Sequence, residues 1–314
     1  MSEIATKAGF AAVIGAPNAG KSTLVNRLVG SKVSIVTQKV QTTRFPIKGV
    51  AMAGAAQIVL VDTPGIFTPR RRLDRAMVRS AWSGAEDADA VIHLVDVNAE
   101  IAVAAGGGKG ADKRAAEDVQ SIISGLKSAK RKVILALNKI DLVKRDQLLG
   151  LSQKLFEEGV YEEVFMISAA NGSGVEDLRD RLAALMPDSP WLYPEDQSAD
   201  MPARLLAAEI TREKIYLRVH EELPYSAAVE TTAFTEAKDG GCRIEQTIYV
   251  ERESQRPIVL GKGGLTLKWI GENARKDLIE IFDRPVHLFL TVKVRENWAE
   301  EREFYAGLGL DFDV

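Results

Sequence analysis

The nine residues from Gly15 to Thr23, GAPNAGKST, constrain the fold of this chain more than any other stretch. They fit the pattern G-x-x-x-x-G-K-[ST], follow the apolar run FAAVI at 10–14 and open the amphipathic stretch KSTLVNRLVG at 21–30. Glycines let the backbone curl so that successive N–H groups point at phosphate oxygens, and the start of a helix adds its positive end. The stretch therefore predicts a strand, a phosphate-binding loop and a helix, in that order.

Two side chains of this loop have predicted roles: Lys21 reaches the β- and γ-phosphates of a nucleotide, and the Ser22 hydroxyl binds Mg²⁺. A second motif, DTPG at 62–65, follows the apolar run QIVLVD, so that Asp62 can face the Mg²⁺ shell across the sheet. The Gly65 N–H can bond a γ-phosphate only because no Cβ intervenes. The predicted phosphate site comprises Gly15, Ala16, Pro17, Asn18, Ala19, Gly20, Lys21, Ser22, Thr23, Asp62 and Gly65.

Short apolar runs alternate with helix-length segments from residue 10 to about 185, a pattern typical of βαβ units around a mostly parallel sheet. We predict strands at 10–14, 47–52, 57–62, 90–96, 132–138 and 164–168, and amphipathic helices at 21–30, 75–87 and 176–186. The Gly-rich stretch AVAAGGGKGADK at 102–113 is predicted to be a flexible surface loop.

The motif NKID at 138–141 indicates which base is bound. Asp141 can accept two hydrogen bonds from the ring N–H and exocyclic amine of guanine, whereas adenine would leave the carboxylate unpaired. Asn138 can tie this loop to the phosphate loop, and the stem of Lys139 can cover the base. The next strand ends at SAANGSG, where the Ser168 hydroxyl and the Ala169 N–H can serve the loop and the base.

The order of predicted strands and helices changes after the proline-rich segment 186–202, which is the best candidate for a domain boundary. The elements predicted after it are a helix at 203–220, strands at about 227–236 and 243–252, the segment QRPIVLGKGG, a helix from about 264 to 282 and a strand at 286–294. The GKGG sequence lies between two helices of this series. This α-β-β-α-α-β order and the G-x-x-G loop are typical of KH domains, which clamp single-stranded nucleic acid there. The predicted RNA-binding residues are Gly261, Lys262, Gly263, Gly264, Lys268 and Arg275; the alternative is a Gly-rich turn with ordinary surface lysines.

The ordered motifs GAPNAGKST, QTTR, DTPG, NKID and SAA resemble those of translation-factor-class small GTPases. With the KH segment VERESQRPIVLGKGGLTLKWIG, nearly the whole chain resembles the Era family of bacterial ribosome-assembly GTPases. The expected fold is an α/β P-loop GTPase domain with a mixed, mostly parallel sheet at 1–187, a linker at 188–202, an α+β KH type II domain at 203–297 and a tail at 298–314. The resemblance implies GTP hydrolysis and binding of the 16S rRNA 3′ end in 30S assembly, tuned by the GTP state.

Two loops are expected to respond to GTP: SIVTQKVQTTR, in which Thr43 rather than Thr42 would join the Mg²⁺ shell, and DTPGIFTPRRR. The predicted switch residues are Gln41, Thr42, Thr43, Arg44 and Ile66. Ras-like GTPases position the attacking water with a glutamine where this chain has Ile66, so intrinsic hydrolysis should be slow or use another group. Asn18 resembles the asparagine with which one subgroup of GTPases holds K⁺ between the phosphates; the alternative is a loop-stabilising role.

The net charge of −3 argues against a global polyanion-binding surface and leaves a local one open. The single cysteine, Cys242, excludes a disulfide framework within the chain and fits a cytoplasmic setting. We expect a cytoplasmic monomer, for which additional peripheral contact with the inner membrane is left open. The arginines that follow DTPG could touch RNA phosphates or form a solvated helix face: Arg70, Arg71, Arg72, Arg75 and Arg79.

Two other function classes remain: an RNA-binding assembly factor with GTP as structural ligand, and a membrane-associated signalling GTPase.

Overall fold

The computed structural model describes residues 6–39, 41–219 and 223–314. The chain forms two compact units, each assembled from separate stretches: the first contains the residues up to Ser34, 43–200 and 308–314, and the second contains 35–42 and 201–307. Residues 1–5, Val40 and residues 220–222 fall in the predicted GTPase domain, switch loop and KH domain, and they lie outside the described residues.

The first unit is built on a seven-stranded sheet in the order β6-β5-β4-β1-β3-β2-β7. Strand β2 runs antiparallel to β3 and β7, and the other neighbours pair in parallel. This confirms the expected mixed, mostly parallel sheet. The strands are β1 Lys7–Ile14, β2 Ile47–Ala53, β3 Ala56–Asp62, β4 Ala90–Asp96, β5 Val133–Asn138, β6 Tyr161–Ile167 and β7 Ala199–Asp200.

Helices cover both faces of this sheet, which is why its central strands read as continuous apolar runs. The helices α1 and α6 pack on one face through residues such as Leu24 and Leu178. The other face packs against α2, α4 and α5, through residues such as Ala81, Ile122 and Leu151. The bounds are α1 Lys21–Val29, α2 Arg72–Glu86, α3 Val97–Ala104, α4 Gly110–Ser128, α5 Arg145–Phe156 and α6 Val175–Leu185.

The prediction of a loop over 102–113 is wrong. Helix α3 continues to Ala104 and α4 begins at Gly110, so that only residues 105–109 connect them. The alanines that end α3 favour the helix. At the start of α4, Asp112 accepts a hydrogen bond from the Lys109 N–H at 2.8 Å, as in a capping box.

The segment predicted as a linker, 188–202, is packed on the first unit as far as Asp200. The buried Gln57 accepts the N–H groups of Leu192 and Tyr193 at 2.8 and 2.9 Å, and the Trp191 indole donates to the Ala55 carbonyl at 3.0 Å. Strand β7 then pairs with β2 at the sheet edge. A buried amide needs partners, and this segment supplies them to Gln57.

The second unit follows the order α-β-β-α-α-β and confirms the predicted KH architecture. Strand β10 pairs in parallel with β9, and β9 pairs antiparallel with β8. The elements are α7 Ala203–Arg218, β8 Ala227–Glu236, β9 Cys242–Val250, α8 Arg256–Leu260, α9 Leu265–Phe282, β10 Val286–Val294 and, after the KH order, α10 Arg302–Gly307.

Residues 35–42 of the predicted switch loop belong to the second unit, although sequence analysis assigned them to the GTPase domain. Ile35 is buried in the same cluster as Ala207 and Ile210 of α7. The Val36 N–H donates to the Glu213 carboxylate at 2.9 Å, and the Arg212 guanidinium donates to the Thr42 carbonyl at 2.5 Å. The segment is held by side chains of α7 that are distant in sequence, so local pattern could not reveal it.

No helix of the described ranges is long and apolar enough to span a membrane.

Candidate nucleotide site and nucleic-acid loop

The predicted phosphate loop connects β1 to α1 and wraps around the amine of Lys21. This amine donates to the carbonyls of Gly15 and Ala16, both at 3.0 Å, and the side chain is buried. Burial lowers the pKa of Lys21 to about 8, and the carboxylate of Asp62 opposes the shift. An anion in the loop would supply the negative charge that favours the protonated amine.

The DTPG turn lies directly against the phosphate loop. A Cβ at Gly65 would lie 2.9 Å from Pro17 Cγ and 3.0 Å from its backbone nitrogen, so that no larger residue fits without displacement. The Ile66 N–H donates to the Gly15 carbonyl at 3.1 Å. The structure thus brings the two predicted phosphate motifs together. Of the remaining loop residues, Ala16 and Ala19 are buried, Asn18 is exposed and left-handed (φ 62°), and Thr23 lies in α1.

Three oxygen-bearing side chains meet beside Lys21. Ser22 Oγ lies 3.0 Å from Thr43 Oγ1, which donates to Asp62 Oδ2 at 3.4 Å. Asp62 is fully buried, and burial raises its pKa. Its Oδ1 accepts no hydrogen bond from any described residue. Hydroxyl and carboxylate oxygens suit Mg²⁺, and a buried carboxylate oxygen without a donor fits such an ion.

Thr43, as predicted, is the threonine at this corner, while Thr42 is engaged elsewhere. The Thr42 hydroxyl donates to the Lys39 carbonyl at 2.8 Å and lies 2.6 Å from the Thr37 hydroxyl. Gln41 is left-handed with φ 57°, and Arg44 is buried.

Asn138 joins the phosphate loop to the loop that follows β6. Its Nδ2 donates to the Ala19 carbonyl at 2.7 Å and its Oδ1 accepts the Ala169 N–H at 2.9 Å. Gly20 is required beside it, because φ is 100° and a Cβ there would lie 2.4 Å from Asn138 Nδ2. The predicted tie between the two loops is therefore present.

Lys139 and Asp141 complete the NKID turn. Lys139 is left-handed with φ 68°, and its amine donates to the Asn18 carbonyl at 2.9 Å. Asp141 lies in the single turn Ile140–Leu142 and is exposed, so its carboxylate is accessible to a base.

Ser168 and Ala169 both hold the loop after β6. Ser168 is fully buried, and its hydroxyl accepts the Asn171 N–H at 3.3 Å. The Ala169 N–H donates to Asn138 Oδ1 at 2.9 Å, and its contact with the base stays a prediction.

Two residues that sequence analysis missed hold these loops. Asp96, at the end of β4, accepts a hydrogen bond from the Lys139 amine and also caps α3 through the N–H groups of Asn98 and Ala99. Arg27 of α1 donates to the carbonyls of Ala169 and Ala170. The sequence offers a signal for Asp96, because this residue ends an apolar strand as Asp62 does. It offers no comparable signal for Arg27.

Ile66, the residue after the DTPG glycine, is buried in the core cluster that also contains Ala16 and Val97. Its side chain is apolar and lies in the core, so it cannot orient a water molecule at the phosphate site.

In the second unit, the GKGG sequence forms a single turn between α8 and α9. Gly261 has φ 72°, and a Cβ there would lie 2.2 Å from Thr266 Oγ1. Gly263 and Gly264 are left-handed with φ 61° and 78°, and open space surrounds the positions of their missing Cβ atoms. A backbone free of side chains can approach a sugar–phosphate chain closely.

Exposed cations and apolar side chains surround this turn. Lys262, Lys268 and Arg275, three of the predicted RNA-binding residues, are exposed. Two residues that sequence analysis missed, Ile258 in the middle of α8 and Leu265 at the start of α9, are 54% and 63% exposed. Apolar side chains beside such a loop can contact unstacked bases.

Comparison with known proteins agrees with this division. Residues 10–139 match the family model described as 50S ribosome-binding GTPase, and residues 222–299 match the KH domain model. GTPase Era from Caulobacter vibrioides is 71% identical over 309 residues, which are 98% of both chains. GTPase Era from Maricaulis maris is 60% identical over the full length of both chains.

Two solved structures are similar over almost the whole chain. One is Era in complex with MgGDPNP and nucleotides 1506–1542 of 16S ribosomal RNA, with a TM-score of 0.85, 36% identity and coverage of 97% of this chain and 99% of that one. The other is a variant of Aquifex aeolicus Era bound to GDP and AlF4⁻, with the same scores and coverage. Full-length identity of this order, together with the phosphate loop, the guanine-specifying turn and the KH unit, establishes that this chain belongs to the Era family of GTPases.

Proposed function

We propose that this protein hydrolyses GTP at the site around Lys21 and uses the GTP state to control binding of its KH domain to the 3′ end of 16S rRNA during 30S assembly. The observation that carries the proposal is the corner formed by Ser22, Thr43 and Asp62. There, a residue of the phosphate loop, a switch residue and a strand-end carboxylate lie within 3.4 Å of their neighbours. A ligand that binds all three residues would order the switch.

The nucleotide would be held by the backbone N–H groups of 15–20 and by Lys21, which would exchange the carbonyls of Gly15 and Ala16 for phosphate oxygens. Ser22, Thr43 and Asp62 would hold Mg²⁺, which supplies charge stabilisation for the β- and γ-phosphates when bound. Asp141 would select guanine, since its exposed carboxylate matches the paired donors of that base.

Hydrolysis transfers the γ-phosphoryl group to water and yields GDP and phosphate. Because Ile66 is buried and apolar, the water must be positioned by other groups. We propose that Asn18, exposed on the phosphate loop, holds K⁺ beside the phosphates. Turnover should then be faster in K⁺ than in Na⁺, and Asn18→Ala should remove the difference. Equal rates of the unchanged protein in both salts would overturn this part of the proposal.

RNA binding would use the GKGG turn, with Lys268 and Arg275 on the phosphates and with Ile258 and Leu265 against bases. Support comes from the exposure of these side chains and from the similar structure of Era with 16S rRNA nucleotides. We propose that it acts as a cytoplasmic monomer that contacts the 30S subunit, and additional peripheral contact with the inner membrane is left open.

The test measures binding of a labelled RNA that copies the 16S 3′ end, at fixed salt, with the protein loaded with GDP or with a non-hydrolysable GTP analogue. Tighter binding with the analogue is expected. The double change Lys262→Asp and Gly263→Asp should abolish it, because two carboxylates replace a cation in the turn. Lys238→Asp, which changes another exposed lysine in the β8–β9 turn, is the control.

Equal binding in both nucleotide states would overturn the switch and favour an RNA-binding factor with GTP as a structural ligand. Binding to anionic vesicles in place of RNA would favour a membrane-associated GTPase.

A further inference from the structure

The arginines after DTPG form a strongly basic start to helix α2. From residue 70 to 79 the chain has one acidic side chain, Asp74, which is buried and accepts the N–H groups of Arg70 and Arg71, both at 3.0 Å. Its charge is therefore turned inward to cap the helix. The outward charge of this segment is entirely positive: Arg70, Arg71, Arg72, Arg75 and Arg79.

Three of these arginines share one face. Residues separated by three, four or seven positions lie on the same side of a helix, which places Arg72, Arg75 and Arg79 in one row. The row is about 10 Å long at 1.5 Å per residue. A row of cations along one face suits a chain of phosphates better than it suits a single anion.

Residues 308–314, which belong to the first unit, already occupy this row. The Arg72 guanidinium lies 4.3 Å from the centre of the Phe312 ring and donates to the Phe312 carbonyl at 3.4 Å. Arg75 donates to the Val314 carbonyl at 3.3 Å, and Arg79 lies 3.4 Å from the Asp311 carboxylate. Each arginine of the row therefore has a partner in the sequence LGLDFDV.

The tail is held by apolar contacts more firmly than by charge. Leu310 is buried, whereas the Arg79 and Asp311 side chains are 62% and 51% exposed. Ion pairs this exposed contribute little and weaken with salt. A polyanion could therefore replace the carboxylates of the tail.

A cavity of about 580 Å³ beside the tail favours nucleic acid as that polyanion. Its lining includes the half-buried Phe10, the cations Lys48 and Arg79, and the carboxylates Asp87 and Asp311, the second of which belongs to the tail. Cavities of this volume accommodate small organic groups. An aromatic ring beside cationic side chains is a feature that binds the bases and backbone of a single strand.

We propose that the arginine row of α2 is a phosphate-binding surface for single-stranded RNA, and that residues 308–314 cover it as an internal acidic competitor. This surface lies in the first unit and is independent of the GKGG turn of the second. Neutralising the tail should therefore reveal RNA affinity that does not need the KH loop.

The experiment uses the full chain with the KH loop blocked by Lys262→Asp and Gly263→Asp, and a 12-nucleotide oligouridylate RNA as the probe. In this background, Asp311→Asn with Asp313→Asn should tighten RNA binding. RNA that displaces the neutralised tail would contact two or three arginines of the row, so the slope of log affinity against log salt concentration should become steeper by about 1.4 to 2.1. The gain in affinity at 50 mM salt should thus be about tenfold larger than at 200 mM.

Matched variants separate the proposal from a change in net charge. Asp177→Asn with Asp180→Asn removes two exposed charges from α6 and should leave binding unchanged. Arg75→Gln with Arg79→Gln should cancel the gain. Phe312→Ala, which loosens the tail without a change in charge, should give a gain of the same sign.

The proposal is overturned if the neutralised tail gives no gain, if the α6 control gives an equal gain, or if the arginine changes do not cancel it. Tighter binding to phosphatidylglycerol vesicles without tighter RNA binding would also overturn it. Failure here leaves the KH proposal intact, since the KH loop is blocked in every arm.

Discussion

The two hydrogen bonds of Asn138 allow a quantitative prediction for the joint between the phosphate loop and the loop after β6. The change Asn138→Ala removes a donor to the Ala19 carbonyl at 2.7 Å and an acceptor for the Ala169 N–H at 2.9 Å. Asn138 is 2% exposed, so water cannot readily replace it. Each buried backbone group left without a partner costs about 1–3 kcal/mol. We therefore expect the free energy of unfolding to fall by about 3 kcal/mol, close to a hundredfold change in the folding equilibrium.

The assay is urea denaturation of the nucleotide-free and GDP-bound protein, combined with the dissociation rate of a fluorescent GDP. Both loops lose their mutual support, so GDP should dissociate faster from the variant. Asn98→Ala is the matched control, because Asn98 is exposed at the start of α3 and should change the unfolding free energy by less than about 0.5 kcal/mol. A loss below about 1 kcal/mol with unchanged GDP dissociation would refute the reasoning, because it would mean that these bonds are replaced on relaxation.

Three further predictions follow from the described contacts. The pKa of Lys21 is lowered by burial from 10.5 to about 8, so the folded protein binds fewer protons than the unfolded chain between these values and gains stability as pH rises. The unfolding free energy relative to Lys21→Met, measured without nucleotide, should thus rise by up to about 3 kcal/mol from pH 8 to pH 10.5, and a flat difference would contradict the shift. Gly261→Ala places a Cβ 2.2 Å from Thr266 Oγ1 at φ 72°, so denaturation should show a loss of about 1–3 kcal/mol, whereas Gly263→Ala, with open space around it, should lose less. Arg212→Met leaves the buried Glu209 carboxylate without its ion pair and should lower the unfolding free energy by about 3–5 kcal/mol. The double change Arg212→Met with Glu209→Gln should lower the unfolding free energy much less, and equal losses would show that the pair is not coupled.

The sequence was sufficient for the features that short motifs encode. The phosphate loop, the strand-end motifs and the KH order all depend on short patterns whose geometry follows from backbone chemistry, and the structure places Lys21, Ser22, Thr43 and Asp62 together. The preference for Thr43 over Thr42 at the Mg²⁺ corner also agrees with the structure, since the Thr42 hydroxyl is engaged with Lys39 and Thr37.

Features that depend on distant partners were not predictable. The role of Arg27 depends on carbonyls more than 140 residues away, and the docking of 188–200 depends on the buried amide of Gln57. The prediction for 102–113 was wrong for another reason. Three consecutive glycines suggested a long loop, but only five residues separate α3 from α4, because the flanking alanines and Asp112 favour helix.

Leu310, buried in the first unit, is synthesised more than one hundred residues after Asp200, where the last strand of that unit's sheet ends. The first unit therefore cannot reach its final set of contacts when its sheet is complete, because residues 308–314 have not yet been made. Domains generally fold as units in the order of synthesis, and here the order is interrupted twice, by 35–42 and by 308–314. A nascent chain of this protein should accordingly remain incompletely packed around helix α2 until residues 308–314 have left the ribosome, long after the sheet that α2 covers has formed.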